Sequence, residues 1–423
     1  DDDVIDTWFS SWLWPISVFD GINKPNNKEI NYYYPTQDLV TGPDILFFWV
    51  ARMIVAGYNF RSKPPFSKVY LTGIVRDQKG QKMSKQLGNS PDSLGWIKQY
   101  GADAVRVGLM LSSAAGNDLL FDESLCKQGK NFTNKIWNAY RLIESWNIDS
   151  KIDQPIHSAE AIVCFENIFN KALETVNDHF NNYRISDALM TIYKLIWDDF
   201  CSWLLEANKP DYGESIDQKS IKQIKIQFQN LLKLIHPFMP FISEEIWQLI
   251  KLRSKKESLV ISSWPDQKKY DTLILNDYEI LKNIVGSVRN FRKENALNQK
   301  TSLSLFYCKA NSVKFKEIIS RLAQLEKIEF SKNRIKQNGG VFRVGTNEFF
   351  IPFEIKIDIK KESTKIHEEL KYLEEFLDSI TKKLLNSRFV ENAPKSVIEL
   401  ERKKAKDSNE KIKNLKNRLK TLN

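Results

Sequence analysis

The chain has 423 residues, enough for about three domains, and its 42% hydrophobic and 12% aromatic content can fill sizeable cores. A balance of 63 basic against 53 acidic residues gives a net charge of +10 and a pI near 9.1, which favours an anionic partner without saying which kind. Cys126, Cys164, Cys201 and Cys308 form no CxxC pair and no zinc-ligand spacing, and no apolar run reaches the about 18 residues of a membrane span, so the expectation is a soluble, cytoplasmic chain without structural zinc, disulfides or a membrane partner.

The opening DDDVIDTWFSSWLWP sets Trp8, Phe9, Trp12 and Trp14 close together. Aromatics this dense ordinarily fill an interior. The segment starts without Met, as a piece of a longer protein would. Residues 23–34 are polar and read as a loop leading to a strand at 39–41. Gly42-Pro43-Asp44 is a turn, and residues 45–56 form an apolar helix. Val69, Leu71, Ile74 and Val75 read as one buried strand, and Asp77–Gly80 as a turn. Lys79, Lys82 and Lys85 follow, separated by Met83, Ser84 and others. Asn89 or Ser90 can cap the next helix, Pro91 suits its first turn, and Asp92 complements its dipole. Strand, basic glycine-containing loop and helix start together suit a polyphosphate, although a solvated basic loop gives the same charges.

Beyond residue 121 apolar residues recur at three- and four-residue intervals in NFTNKIWNAYRLIESW, AIVCFENIFNKALETVNDHF, ISDALMTIYKLIWDDFCSWLLEANK and IKQIKIQFQNLLKLIHPFMPFISEEIWQLI. Long helices in series predict a bundle. His236, before Pro237, reads as structural. Residues 291–360 change character: LSLFY alternates as a strand, 313–325 reads as helix, and GGVFRVGTNEFFIPFEIKIDI as two or three strands. Near the end Ile366, Leu370, Leu373, Leu377, Ile380 and Leu384 follow a 4-3-4-3-4 spacing. Ile412, Leu415, Leu419 and Leu422 resume it after a Pro-containing break, predicting an antiparallel helical hairpin. Residues 395–423 hold ten Lys or Arg against four Asp or Glu, the charge either of a solvated rod or of one that binds phosphates.

The stretch KMSKQ, after a strand and before Leu-Gly-Asn, resembles the Lys-Met-Ser-Lys-Ser signature of the class I aminoacyl-tRNA synthetases, with Gln86 in place of the last Ser. DVIDTWFSSWLWP, YYPTQDLVTGPDILFFWVARM and LLNSRFVENAPKSVIELERKK are similar to the valyl-tRNA synthetases in particular, and LIHPFMPFISEEIW resembles the anticodon-binding helical domain of the valyl, isoleucyl, leucyl and methionyl group. The resemblance implies the second half of a Rossmann-type fold (1–124), a helical anticodon-binding domain (125–290), a small α+β module (291–360) and a coiled-coil tRNA-binding arm (361–423). It implies Lys85 and Lys82 as the catalytic charges on the phosphates of ATP. Gly42 and Asp44 would contact the ribose, and Gly73, Val75 and Met83 the adenine. Trp8 and Trp49 would wall a valine pocket, and Arg388, Lys395, Arg402, Lys403 and Lys404 would contact tRNA(Val). ATP would arrive with Mg²⁺, and no obligate protein partner is evident.

The family's His-Ile-Gly-His-type motif is absent, and nothing resembles its editing domain. The expectation is therefore a C-terminal half that is inactive alone but able to bind tRNA. Asp44-Ile45-Leu46 and the arm argue against an isoleucyl- or leucyl-type enzyme. A non-catalytic tRNA-binding protein is the alternative from another class.

Overall fold

The computed structural model describes residues 3–4, 6–77, 79–81, 83–84, 86, 88–89, 92–112, 118–120, 122–254, 256–298, 301–308, 313–331, 339–352, 359–385, 398–399, 401–402, 404–405, 408–409 and 412, with side chains from 370 onward in the helix beginning at 359. By compactness these fall into two units, Asp1–Phe330 with Arg343–Glu348, and Ser331–Phe342 with Phe349–Asn423.

The first unit opens with α1 (Thr7–Trp12), started by the Asp6 carboxylate, which accepts the Trp8 amide at 2.7 Å. The short α2 (Trp14–Ser17) and α3 (Lys28–Tyr33) follow. The loop expected over 23–34 is thus helical in its second half. Asn27 accepts the amides of both Glu29 and Ile30, and this one side chain is enough to start a turn within a polar run. The dense aromatics of α1 and the start of α2 do not form a core: Trp8, Phe9 and Trp14 are all exposed, Trp14 by 62%.

β1 (Thr36–Thr41) leads into a 3₁₀ turn at Pro43–Ile45, a π-helical turn at Leu46–Val50, and α4 (Ala51–Arg61). β2 (Phe66–Leu71) pairs parallel with β1, in register from Thr36–Phe66 to Thr41–Leu71. The single strand expected through residue 75 is divided: the Thr72 amide makes the last bond to β1, at the Thr41 carbonyl (2.9 Å), and Val75–Arg76 pair with a different strand. The chain resumes as β3 (Val75–Arg76), half-buried throughout.

α5 (Ser93–Tyr100) is capped by Asp92 rather than Asn89. Then come α6 (Ala102–Ser112), β4 (Leu119–Leu120), which pairs parallel with β3, and α7 (Glu123–Glu144), capped by Asp122. α6 and α7 approach so closely that a Cβ on Gly129 would lie 2.5 Å from the Ala104 carbonyl oxygen, and one on Gly108 would lie 2.9 Å from the Cys126 amide nitrogen. Only glycine fits either position.

The helical body continues with β5 (Ile148–Asp149), α8 (Ile156–Asn181) and α9 (Ile185–Lys194). A π-helical run at Leu195–Leu204 leads to α10 (Leu205–Asn208). β6 (Ile216–Asp217) pairs parallel with β5. α11 (Gln218–Ile235), α12 (Pro240–Ile250) and α13 (Thr272–Glu294) complete it. The expected helical periodicity is realised as burial: Phe132, Phe165, Phe200 and Phe228 are at most 1% exposed, and the rings of Phe200 and Phe228 stack at 5.2 Å.

After it lie β7 (Leu303–Tyr307), α14 (Lys316–Ala323) and β8 (Leu325–Phe330), with β7 and β8 parallel. β9 (Gly339–Val344) and β10 (Asn347–Pro352) flank a turn where Gly345 has φ 58°. In the second unit Phe342 stacks on Phe349 at 5.2 Å. There α15 (Ile359–Leu385) buries Leu370, Leu373 and Ile380, and Ile412 packs against the first two. Leu415, Leu419 and Leu422 lie outside the described residues.

Candidate functional site

Parallel pairing puts the carboxyl ends of β1 and β2 side by side at Thr41 and Leu71. Gly42 and Asp44 therefore follow one strand, and Gly73 and Val75 the other, along one edge where ligands of open α/β sheets sit. Asp44 is exposed in the 3₁₀ turn. Nothing lies within 4 Å of where a Cβ on Gly42 would project, so the space beside it is open.

The loop after β3 is organised by Asp77. One carboxylate oxygen accepts the amides of Lys79 (2.9 Å) and Gln81 (2.8 Å), and the other accepts the Asn89 side-chain amide at 3.1 Å. Asn89 in turn accepts the Ser84 amide at 2.9 Å. The Asn89 hydrogen bond, followed by those from the backbone, holds the Asp77 carboxyl below its usual range. Gly80 and Gly88 turn the chain with φ of 77° and 65°, a conformation that glycine adopts without strain. Asn89 therefore closes the loop instead of capping α5. The sequence signal for Asp77 was its place at the end of a strand and three residues before a glycine.

A second brace ties this loop to β4. The Arg76 guanidinium bonds the Asp118 carboxylate and donates to the Gly80 carbonyl at 3.2 Å, and Asp118 accepts the Ile74 amide at 3.3 Å. Arg76 keeps the Asp118 carboxyl below its usual range. Neither residue stood out in the sequence, because the brace spans 42 positions.

The Met83 and Val75 side chains pack against the cluster of Val105, Leu119 and Cys126, as Trp96 does, so at these positions the side chains are committed to the core. The Met83 amide lies 3.4 Å from the Val75 carbonyl. Lys79 is exposed, while Lys82 and Lys85 lie outside the described residues.

A cavity of about 500 Å³ opens between the start of the chain and β1. Trp49 and Met53 line it with Ser10, Trp14, Leu39 and Thr41. Trp8 stands behind Trp49 at 5.9 Å between rings, and is itself covered by the Arg52 guanidinium at 4.2 Å. Trp49 thus forms a wall, while Trp8 and Arg52 back it.

A larger groove of about 1310 Å³ runs along the helical body. His157, Tyr212, Arg289, Lys293 and Arg321 are among its lining residues. Tyr212 is fully exposed, and Arg321 pairs with Asp211 at 2.8 Å. Burial, reinforced by Arg321, keeps the His157 imidazole below its ordinary pKa. In the second unit Arg402 is exposed and Lys404 pairs with Glu401 at 2.8 Å. Arg388, Lys395 and Lys403 lie outside the described residues. Among the described residues no three His, Cys, Asp or Glu side chains could hold a metal ion, and no helix is long and apolar enough to cross a membrane.

Three family descriptions match along the chain: tRNA synthetases class I (I, L, M and V) over residues 1–122, anticodon-binding domain of tRNA ligase over 165–307, and valyl tRNA synthetase tRNA binding arm over 358–423. The chain is 52% identical over 425 residues to a valine–tRNA ligase of Christiangramia forsetii and 51% identical over 423 residues to one of Parabacteroides distasonis. Each match covers 100% of this chain and 48% of the relative. A Thermotoga maritima valine–tRNA ligase is 36% identical over 429 residues, covering 100% of the chain and 49% of that protein. The chain spans about half the length of the curated relatives that it matches.

Proposed function

This chain belongs to the class I aminoacyl-tRNA synthetases, and from that premise we propose that it supplies the nucleotide loop and the tRNA-binding body of a valine–tRNA ligase. The observation that carries the reading is the loop Asp77–Asn89. It is closed by Asp77 and Asn89 and follows β3, a few residues beyond the aligned carboxyl ends of two parallel strands.

In the proposed reaction the valine carboxylate attacks the α-phosphorus of ATP, and the bond to the β-phosphate oxygen breaks. Valyl-adenylate forms and pyrophosphate leaves. A hydroxyl at the 3′ end of tRNA then takes the valyl group and releases AMP. Mg²⁺ enters bound to ATP, as part of the substrate. Negative charge grows on the departing pyrophosphate, so Lys85, and after it Lys82, stabilise the transition state more than the ground state. Asp44 accepts from the ribose hydroxyls beside Gly42, and the backbone at Gly73, Val75 and Met83 receives the adenine. The Trp49 wall, backed by Trp8, bounds a dry pocket for the valine side chain.

The helical groove suits an RNA loop. Its exposed Tyr212 ring offers a stacking face, and Arg289 and Lys293 in the same groove carry charges for phosphates. Arg388, Lys395, Arg402, Lys403 and Lys404 would add salt-dependent phosphate contacts along the arm. α4 and the turn before it leave Phe47, Phe48, Val55 and Tyr58 exposed. That face supports a further packing layer, so catalysis is proposed for the assembled ligase in the cytoplasm and not for these 423 residues alone.

The test is Lys85→Ala in the complete ligase carrying this segment. Valine-dependent ATP–pyrophosphate exchange should fall by about 100-fold or more, with tRNA affinity changed by less than about twofold. Equal losses in exchange and in affinity would make the loop an RNA contact and overturn its catalytic role.

A further inference from the structure

α12 begins at Pro240 with no capping side chain of its own and no acidic residue in its first turn. Its cap comes from elsewhere. The Asp103 carboxylate on α6 accepts the amides of Phe241 (3.3 Å) and Ile242 (2.7 Å), across 138 and 139 positions of sequence. One helical turn on, the Arg106 guanidinium donates to the carbonyls of Phe238 (3.1 Å) and Pro237 (2.8 Å), just beyond the end of α11. The negative group meets the N-terminus of one helix and the positive group the C-terminus of another, matching both dipoles. The corner between these helices is itself stiff. His236 Nδ1 lies 2.7 Å from Ser243 Oγ, which donates to the Met239 carbonyl at 2.6 Å.

α6 also shares a core with the nucleotide loop. Val105, between the two clamp residues, belongs to the cluster that holds Met83 of the loop, Val75 of β3 and Trp96 of α5. A single helix therefore shares an apolar cluster with the loop and meets the α11–α12 corner through two directional polar contacts. Asp103 is only 6% exposed, and burial raises its pKa against the pull of the two amides. Apolar packing would hold two elements together at lower cost than a buried carboxylate, whereas a bonded charge fixes orientation.

We propose that Asp103 and Arg106 are positioning residues for aminoacylation: they clamp the helical body to the segment bearing the lysine loop, and so set where tRNA held by that body meets the loop. The proposal rests on the tRNA-ligase reading above. Its mechanism is geometric, because a displacement of about 1 Å far from the reacting atoms can cost up to about 100-fold in rate.

The experiment compares Asp103→Asn, Arg106→Met and the double variant in the complete ligase. Four quantities are measured: ATP–pyrophosphate exchange without RNA, charging of whole tRNA, charging of a short RNA hairpin that carries only the acceptor end, and the thermal midpoint. The clamp predicts that exchange and hairpin charging stay within about twofold while kcat for whole tRNA falls about tenfold. The double variant should be no worse than the more severe single one, as for two halves of one device. If Asp103→Asn does not fold, Arg106→Lys supplies the readout, since it keeps the charge and loses the two-pronged geometry. Parallel loss of all three activities, or no loss in a folded variant, overturns the proposal. Failure of the unaltered ligase to charge any tRNA overturns the tRNA-ligase reading instead.

Discussion

The helical body and the amino-terminal α/β part handle apolar residues in opposite ways. In the body, Phe132, Ile136, Leu173, Ile192 and Phe228 are essentially inaccessible. In the α/β part, Val40 is 62%, Phe47 80% and Val55 65% exposed. The two regions have a similar appetite for apolar residues, but one satisfies it internally and the other does not. A long amphipathic helix finds its partners within the same bundle. A parallel strand pair needs layers on both faces, and here β1 and β2 form a two-stranded sheet. Stability should therefore concentrate in the body, and chemistry at the sparsely packed edge.

The sharpest test of that contrast is Phe228→Ala. The ring is 1% exposed and stacks on Phe200, so its removal leaves a cavity that the surrounding helices close only in part. A loss of about 3–5 kcal/mol is expected in denaturant unfolding. A loss below about 1 kcal/mol would show that the body is loosely packed and that the contrast fails.

Next in size is a pH effect within the same body. Burial pushes Asp199 up to about 6, against the pull of Lys282 at 3.8 Å. The folded state then binds more protons than the unfolded one between about pH 4 and 6, so this group's contribution to stability is greatest below that window and declines as pH rises through it. In Asp199→Asn the decline should vanish, so the variant's stability relative to the parent should rise by up to about 3 kcal/mol between acid and neutral pH. Parallel pH curves for the two proteins would place the carboxyl in a wetter site than the structure gives it.

How legible each region is follows from how local its determinants are. The long helices α7, α8 and α11 were plain in the apolar spacing, because one repeat governs both helix formation and burial. The loop could be located from its strand, glycines and lysines, but its internal wiring could not. Asn89 looked like a helix cap because caps are local, while its actual bonds run back to Asp77 and Ser84. The Arg76–Asp118 brace and the Asp103 cap join residues 42 and up to 139 positions apart, and no neighbouring residue announces them. The aromatics of α1 misled for a further reason. Density of indole rings speaks to affinity for an apolar surface, whereas burial depends on whether that surface is there.

The smallest expected effect tests that last point. Phe47 is 80% exposed, beside Phe48 at 51%, on the turn that leads into α4. Phe47→Ser removes little packing from this chain, so its unfolding free energy should change by less than about 0.5 kcal/mol. In a longer protein that carries this segment the same substitution should cost more, by about 2 kcal/mol or above, if a further layer covers this face. The comparison is between two contexts of one substitution, so the intrinsic preferences of Phe and Ser largely cancel. Equal small effects in both would mean that the aromatic face stays open to solvent in the assembled protein. Its Phe side chains would then need another explanation, such as a separate docking partner.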